Sequence, residues 1–250
     1  ILIIGDSCED VWSYGQCDRI CPDGPVPVFV PLYEKQNKGM AGNVYNNIKS
    51  IIKNLKVDVN IEFMTNTEIV IKNRFVEEKS NHLIMRLDTG ENVVTEFNMN
   101  QLNTSLYDMI VISDYDKGFL TRKCIQSICE SHDTVVIDTK KPIDSFCKSA
   151  KFIKINHHEY DNSRLHLSKL LSNTDFEDNL IVTLGSNGCK FQNNIYEVEK
   201  VEVKDTVGAG DTFLAGFAVN FLLYNDIDTA INYANNCATK VVQMRGVNII

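Results

Sequence analysis

The sequence predicts an α/β domain with a mostly parallel central sheet and a smaller β-sheet beside it. Three observations support this prediction: strand-like runs alternate with helical patterns after Asp108, an apolar run opens the chain, and a glycine turn near residue 208 precedes an apolar helix. Alternating strands and helices are typical of parallel sheets with right-handed crossovers. With 250 residues and 44% hydrophobic content, we expect residues 1–250 to form a single domain.

The first predicted strand, Ile1 to Ile4, is apolar throughout, as in strands that are buried on both faces of a parallel sheet. Asp6 falls at its carboxyl end, and we expect Asp10 in the loop that follows. The next segment, 19–30, contains three prolines among apolar residues. Prolines at this density place the segment at a sheet edge or in a separate flap.

The sequence from 38 to 98 predicts a helix followed by a flap. A glycine-containing turn at 38–43 precedes apolar residues that recur at helical spacing from Ile48 to Leu55. From Val57 to Phe63 apolar and polar residues alternate strictly, as they do in a half-buried strand. Three further strand-like pieces lie within about 68–98, separated by turn sequences. We expect them to form a small antiparallel lid together with about 13–36.

From Asp108 onward, each predicted strand ends in a polar residue. The helices between the strands are expected around 124–129 and 165–171, and a last helix over 231–241 ends at Arg245 and Gly246. Ligands of parallel sheets bind outside the carboxyl ends of the strands. The polar residues at these ends are Asp6, Asp114, Asp138, Asn156 and Thr183. Five such residues at one sheet edge favour a binding site over chance.

The segment from Asp205 to Thr212, Asp-Thr-Val-Gly-Ala-Gly-Asp-Thr, lies between an alternating strand pattern at 200–204 and a helix with one apolar face that starts near Asp211. Two glycines one residue apart let consecutive N–H groups face the same way at the positive end of the helix dipole, which attracts phosphate. A carboxylate beside bound phosphate repels it, so its presence there needs a chemical role to explain it. Asp211 is therefore a candidate general base. The alternative is that Asp211 only caps the helix and the glycines only form the turn.

Composition excludes several classes of function. The net charge of −8 and the lack of a lysine/arginine block argue against nucleic-acid and membrane-surface partners. No apolar run is long enough to span a bilayer, and Ile1 opens into a strand without a basic leader, so we expect a cytoplasmic protein. The eight cysteines show no Cys-x-x-Cys spacing, which favours free thiols. His157-His158-Glu159 lacks further ligands at zinc spacing.

Two common phosphate motifs do not fit the glycine turn. A Walker A loop needs Lys-Ser/Thr after its second glycine, whereas Asp-Thr follows Gly210. A dinucleotide fingerprint needs a third glycine where Phe213 stands, and it should follow the first strand.

The stretch from Asp205 to Phe217 instead resembles the C-terminal signature of the ribokinase-like, phosphofructokinase-B-type sugar kinases. Further matches are Gly5-Asp6 with Asp10, Leu-Ile-Met-Arg-Leu-Asp at 83–88, and Ser-Asp-Tyr-Asp-Lys-Gly at 113–118. The resemblance covers nearly the whole chain and implies a three-layer ribokinase-like sandwich with a β lid. It also implies an ATP- and Mg²⁺-dependent sugar kinase.

Within that family, Arg19 to Val28 (Arg-Ile-Cys-Pro-Asp-Gly-Pro-Val-Pro-Val) resembles the matching segment of the heptose 7-phosphate kinases. This similarity implies phosphorylation of the anomeric hydroxyl of D-glycero-β-D-manno-heptose 7-phosphate to the 1,7-bisphosphate, in the ADP-heptose pathway. The alternatives are a kinase for another sugar or sugar phosphate, and a non-catalytic sugar-phosphate binder. Exposed lid strands also offer edges for a homodimer.

The resemblance assigns roles to residues at the phosphate end of the site. Asp211 would accept the proton of the sugar hydroxyl, kept ionised by the helix N-terminus. The amides of Gly208, Ala209 and Gly210 would hold the transferring phosphoryl group. Asn156 and Glu159 match an Asn-x-x-Glu element that governs Mg²⁺, usually through water. The remaining ATP-binding candidates are Lys140, Thr183, Gly185, Gly188 and Asn235. For these, solvated loop positions are the alternative.

The resemblance also assigns residues to the sugar. The candidates for binding its hydroxyls are Asp6, Asp10, Gly39, Asn43 and Asp114. The candidates for clamping the substrate's own phosphate are Arg74, Arg86 and Lys117. An arginine suits that task because its planar fork binds two oxygens at once. The alternative for Arg86 is a surface pair with Asp88.

The chain also departs from the family pattern. Lys38 replaces a usual glycine, Ile155 replaces a proline before Asn156, and the usual Asp-Pro-Lys-Gly is Asp-Thr-Lys-Lys at 138–141. A helix–strand–helix stretch that normally follows the helix ending near Leu55 is missing, which implies a shorter sheet. This departure bears on sugar specificity more than on phosphoryl transfer, because the glycine turn is intact.

Overall fold

A computed structural model describes residues 1–170, 178–244, 246 and 248–250. The strands in this part of the chain are β1 (Leu2–Gly5), β2 (Ser7–Gln16), β3 (Val30–Met40), β4 (Glu62–Thr65), β5 (Ile71–Glu77), β6 (His82–Thr89), β7 (Ile110–Asp114), β8 (Val135–Thr139), β9 (Phe152–Asn156), β10 (Leu180–Thr183), β11 (Cys189–Phe191) and β12 (Asn194–Tyr196). The α-helices are α1 (Ala41–Leu55), α2 (Arg122–Ser131), α3 (His157–Leu170), α4 (Ala209–Tyr224) and α5 (Ile227–Val241).

Eight of these strands form the central sheet, in the order β12-β11-β10-β9-β8-β7-β1-β4. The six strands from β10 to β4 run parallel, and β11 and β12 add an antiparallel edge. Neighbouring residues of the first strand face opposite sides, since Ile3 packs with α1, α4 and α5 whereas Leu2 and Ile4 pack with α2. Helices therefore cover both faces, and the predicted three-layer α/β fold is confirmed.

Helix α4 differs from its prediction. A helix with one apolar face is expected from the spacing of its phenylalanines, but every residue from Asp211 to Phe221 is buried. The helix lies between the sheet and its neighbours α1 and α5, so it has no solvent-facing side along most of its length. Helices that are apolar all round belong to the core.

The second sheet is the lid, with the strand order β3-β2-β5-β6. It is not wholly antiparallel as predicted, because its two inner strands, β2 and β5, run parallel. Only Asp6 separates β1 from β2, so the chain passes directly from the central sheet into the lid. Asp10 accordingly lies within β2 rather than in a loop.

Other elements also depart from the predictions. The predicted strand at 200–204 joins no sheet, because the N–H groups of Lys204 and Asp205 donate to the carbonyl of Val242 after α5. The strand predicted at 57–63 begins only at Glu62, and the third lid piece forms no strand. Strands β11 and β12 were not predicted. The helix expected at 165–171 starts at His157; Leu171 and Arg245 lie outside the described residues.

Gly5 is a close-packed point where the two sheets join. A Cβ atom at this position would lie 1.8 Å from the backbone oxygen of Ser113 on β7. We therefore expect Gly5→Ala to destabilise the protein by about 3 kcal/mol, since the backbone of β7 would have to shift. Gly24→Ala is the control, because nothing lies within 4 Å of its added methyl group. Urea unfolding should show a change below about 0.5 kcal/mol for the control; equal stability of both variants would contradict the packing argument.

Candidate active site

The N-terminus of α4 lies at the edge of the central sheet that holds the carboxyl ends of its parallel strands. Gly208 precedes the helix with φ 80°, a left-handed conformation that glycine adopts without strain. The first N–H groups of a helix lack partners within it. The Ala209 N–H donates to the Thr206 carbonyl at 3.3 Å, whereas we find no backbone acceptor for the Gly210 N–H in the part of the chain described. Gly210 thus offers a free donor to an anion.

Asp211 directly follows Gly210 in the helix, and it is only 5% exposed. Its Oδ2 accepts a hydrogen bond from Asn43 Nδ2 at 2.9 Å, and its Oδ1 accepts one from the Tyr115 hydroxyl at 2.7 Å. Both carboxylate oxygens are therefore held in place, from α1 on one side and from the loop after β7 on the other. A carboxylate oxygen has room for a second donor, so these bonds leave capacity for a substrate hydroxyl.

Burial raises the pKa of Asp211 above its ordinary value of 3.8. The hydrogen bonds from Asn43 and Tyr115 oppose this rise, while the nearby carboxylate of Asp138 adds to it and the ammonium of Lys154 opposes it. Desolvation is the largest influence on this pKa, and the role of the helix N-terminus in keeping Asp211 ionised stays a prediction. A raised pKa makes the carboxylate a stronger base.

Lys154 is a charged residue of this site that the sequence analysis did not select. It is 3% exposed, and its Nζ lies 2.6 Å from Asp138 Oδ2. A Cβ atom added to Gly210 would lie 2.9 Å from the same Nζ, so the ammonium group adjoins the glycine turn. A positive charge beside free amides strengthens an anion site. The available signal was a lysine inside the apolar strand Phe-Ile-Lys-Ile, since lysine is almost never buried without a partner.

The nucleotide candidates line a cavity of about 530 Å³ next to the glycine turn. Its lining residues include Thr183, Gly185, Gly188 and Asn235, together with Gly210 of the turn. Gly188 has φ 80°, and a Cβ there would lie 1.9 Å from the Tyr196 carbonyl, so only glycine fits this loop. The structure thus brings four of the predicted ATP-binding residues to one cavity.

The Asn-x-x-Glu element forms a reciprocal cap at the start of α3. The Asn156 N–H donates to Glu159 Oε2 at 2.8 Å, and the Glu159 N–H donates to Asn156 Oδ1 at 2.9 Å, as in a capping box. Lys140 also pairs with Glu159 through Oε1. In the described residues no three His, Cys, Asp or Glu side chains lie together as a metal site.

Two of the predicted sugar-binding carboxylates are engaged within the protein. The Asp6 carboxylate accepts N–H groups from the loop 115–119 at 2.8 to 3.4 Å. Asp114 accepts from Lys141 Nζ at 2.7 Å and from the Thr139 hydroxyl at 2.5 Å. Burial raises the pKa of Asp114, and the Lys141 charge opposes the rise. These bonds hold the loop after β7 against the sheet, and sugar contacts of either residue stay predictions.

The inner face of the lid carries Asp10 and a group of basic side chains. Asp10 Oδ1 lies 2.5 Å from Arg74, and a Cβ at Gly39 would lie 2.1 Å from Asp10 Oδ2. Arg74 is directly opposite Arg86 on β6, and Arg86 binds Asp88 through two nitrogens at 2.6 and 2.7 Å. Like charges directly opposite each other destabilise a sheet unless they are neutralised. The remaining clamp candidate, Lys117, pairs with Glu91 at 2.7 Å.

Comparison with known proteins identifies the family. Residues 46–250 match the sequence profile of the pfkB family carbohydrate kinases. The chain belongs to this family. It is therefore a carbohydrate kinase, as its resemblance to the family implied, and kinases of this family use ATP. No helix among the described residues has the length and apolar character needed to cross a bilayer.

Curated relatives include two bifunctional proteins named HldE. The one from a Nitratiruptor species is 30% identical over 283 residues, covering 97% of this chain and 61% of the relative. The one from Aliarcobacter butzleri is 30% identical over 294 residues, covering 98% and 61%. The chain thus spans about three fifths of the length of these relatives. Both alignments are longer than the 250 residues of the chain, so the relatives carry residues that it lacks.

Solved structures share the fold. A ribokinase from Thermotoga maritima superposes with a TM-score of 0.73 at 15% identity, covering 98% of this chain and 93% of the ribokinase. A ribokinase from Arabidopsis thaliana, complexed with ribose and ATP, gives 0.65 at 15% identity and the same coverage. The expected ribokinase-like fold is therefore confirmed.

The buried pair of Lys154 and Asp138 provides a test of the site. Lys154→Met should destabilise the protein by roughly 3–5 kcal/mol, because it leaves the Asp138 carboxylate buried without its partner. The double variant Asp138→Asn/Lys154→Met removes both charges and should regain most of that stability in urea unfolding. We expect sugar-kinase turnover of the double variant to stay low, because the ammonium group beside Gly210 and the buried Asp138 carboxylate are both gone. A double variant with full turnover would show that the pair is structural only.

Proposed function

We propose that this chain transfers the γ-phosphoryl group of ATP to the anomeric hydroxyl of D-glycero-β-D-manno-heptose 7-phosphate, giving the 1,7-bisphosphate and ADP. The main support for the transfer is the position of Asp211, a buried carboxylate that directly follows the free amide of Gly210. The similarity of residues 19–28 to heptose 7-phosphate kinases supports the choice of sugar. Residues 1–250 would act as one kinase domain with the four-stranded lid.

In this proposal Asp211 accepts the proton of the sugar hydroxyl as its oxygen attacks the γ-phosphorus. The bond to the β–γ bridging oxygen breaks, and ADP leaves with the electron pair. Charge develops on the equatorial oxygens of the migrating group. The free amide of Gly210, with Lys154 beside it, stabilises that charge because it is in place before the reaction. The amides of Gly208 and Ala209 are the further proposed donors, the latter in exchange for its bond to the Thr206 carbonyl. Tyr115 and Asn43 keep the carboxylate pointed at the acceptor.

Mg²⁺ is a proposed cofactor whose site the residues fit. Asp138 Oδ1 is buried and has no hydrogen-bond partner among the described groups, and carboxylate oxygens are the ligands that Mg²⁺ prefers. Asp138 is therefore the best candidate ligand, with Asn156 and Glu159 acting through water because the cap at α3 already engages them. When bound, Mg²⁺ would neutralise charge on the ATP phosphates.

The lid supports a substrate that carries its own phosphate. Its inner face places Arg74 and Arg86 side by side, with Lys72 two residues before Arg74 on the same strand. Three cations held together repel one another, and a phosphate group on the substrate would neutralise them whereas a neutral sugar would not. Without substrate, Asp10 pairs with Arg74 and Asp88 pairs with Arg86. Closure of the lid over the sugar would exclude water from the reaction.

The opposite face of the lid supports the proposed homodimer. On β6, Met85 and Leu87 flank Arg86, face the other side of the sheet, and are each about half exposed. Leu32 on the edge strand β3 is also exposed. Apolar side chains gathered on one sheet favour burial against a second molecule. The cytoplasm, as the compartment that holds ATP and free sugar phosphates, is the proposed location.

Replacement of the proposed base gives the most direct test. Asp211→Asn should lower turnover with ATP, Mg²⁺ and heptose 7-phosphate by about 10²- to 10⁴-fold, the usual size of general-base effects. Asp133→Asn, at an exposed carboxylate before β8, is the control and should keep wild-type turnover. ADP release and circular dichroism would be measured for both. Undiminished turnover of Asp211→Asn would exclude the base role; no turnover of the wild type with a panel of sugars would favour a non-catalytic binder.

A second test addresses the substrate's phosphate. Arg86 and Arg122 are matched, since each side chain is 43% exposed and pairs with one aspartate, but Arg122 lies on α2, outside the lid. Arg86→Gln should raise KM for heptose 7-phosphate by roughly 10- to 100-fold, the size expected for a lost charged hydrogen bond, and leave KM for ATP unchanged. Arg122→Gln should change neither. Equal KM values of the two variants for the sugar phosphate would remove Arg86 from the proposed clamp.

A further inference from the structure

Behind Asp211, two asparagine side chains of α1 form a chain of hydrogen bonds. Asn43 Nδ2 donates to Asp211 Oδ2 at 2.9 Å. Asn47, one helical turn further on, donates through its Nδ2 to Asn43 Oδ1 at 2.9 Å and to the Asn43 backbone carbonyl at 3.0 Å. Both side chains are buried, at 1% and 0% exposure. Asn47 therefore contacts Asp211 only through Asn43.

The orientation of these amides has consequences for Asp211. An asparagine side chain has a donor end and an acceptor end, and only the NH₂ end of Asn43 can bond favourably to a carboxylate. If the amide of Asn43 turned round, its oxygen would face the negative charge of Asp211. The carboxylate itself disfavours that orientation, and a second group that also disfavours it would hold the Asn43 amide more firmly.

Backbone groups fix the orientation of Asn47. Its Nδ2 faces the carbonyl oxygen of Asn43, which can only accept, and its Oδ1 faces the N–H of Ile250 at 3.3 Å, which can only donate. Turning the Asn47 amide round would oppose like groups at both ends. With Asn47 fixed, Asn43 must present its oxygen to Asn47 and its NH₂ group to Asp211.

We propose that Asn47 is a positioning residue for phosphoryl transfer, which holds the Asn43 amide with its NH₂ group toward Asp211. This rests on the proposed role of Asp211 as the general base. The segment at 248–250 takes part, because the N–H of Ile250 completes the bonds of Asn47. The chain of contacts thus links three separate parts of the sequence to one carboxylate oxygen.

The effect on the base follows from the loss of a donor. A hydrogen bond to the ionised carboxylate lowers its pKa, so losing the Asn43 donor raises the pKa of Asp211 further. A general base acts in its ionised form, and activity falls as pH drops through its pKa. The acidic limb of kcat/KM should therefore move to higher pH. The other titratable groups around Asp211 are Asp138 on β8, Lys154 on β9, Tyr115 and Lys140 in the following loops, and Cys8 on β2.

The test measures the carboxyl group itself as well as turnover. The whole chain would be labelled with aspartate carrying ¹³C in its carboxyl carbon, with Asp211→Asn used to assign the resonance. We expect the pKa of Asp211 to rise by at least about one pH unit in Asn43→Ala and in Asn47→Ala, the size expected for losing one bond to a carboxylate. Asn46→Ala, the adjacent half-buried asparagine of α1, is the matched control and should leave the pKa unchanged.

A double-mutant cycle separates positioning from a merely structural role. In Asn43→Ala/Asn47→Ala the pKa should rise no further than in Asn43→Ala, because Asn47 acts through Asn43. A lower melting temperature of Asn47→Ala with an unchanged pKa would overturn the proposal, as would an additional rise in the double variant. If Asn47→Ala fails to fold, Asn47→Ser can still bond to the Asn43 carbonyl but is too short to reach its side chain, and should give the same rise. Turnover retained by Asp211→Asn would refute the base role and leave this measurement unaffected.

Discussion

Burial of charge at one edge of the central sheet is the constraint on which the rest of this structure depends. An ionised carboxylate or ammonium group taken out of water costs far more than a domain can tolerate unless the protein supplies partners. Asp211, Asp138 and Lys154 are each at most 5% exposed and lie together there. Their partners come from separate elements, so β8, β9, α1 and α4 must keep fixed positions. The same requirement keeps the site aligned before any ligand arrives.

The burial of α4 follows from this arrangement. A helix that directs its first amides at the carboxyl ends of the strands must lie over the middle of the sheet, and there it meets strands on one side and α1 and α5 on the others. After Asp211 its buried residues are accordingly apolar on all sides of the helix except at Thr212 and Asn220. The left-handed conformation at Gly208 lets the chain enter the helix at that angle. Core packing and the candidate anion site are therefore two consequences of one helix position.

The sequence predicted those features that depend on local pattern. Continuous apolar runs identified the parallel strands, and the helical spacing of α1 was correct. Features that depend on distant partners were missed. Asp10 was expected in a loop, since an acidic residue in a strand is unfavourable until Arg74 is placed beside it. Lys154 was overlooked because its partner lies on another strand. The strand predicted at 200–204 has the right alternation, but its N–H groups bond to the end of α5.

The position of β4 explains how a shortened kinase can keep the residues of the proposed phosphoryl-transfer site together. The sequence predicts that a stretch is missing after α1, and in the structure β4 follows α1 and forms the edge of the sheet. The strand that carries Lys154, β9, lies four strands away, roughly 19 Å at about 4.8 Å per strand. Loss of material at this edge removes no partner of Asp211, Asp138 or Lys154. We expect it to act instead on the lid side, where β2 leaves the sheet beside β4, and so to affect how the sugar is held.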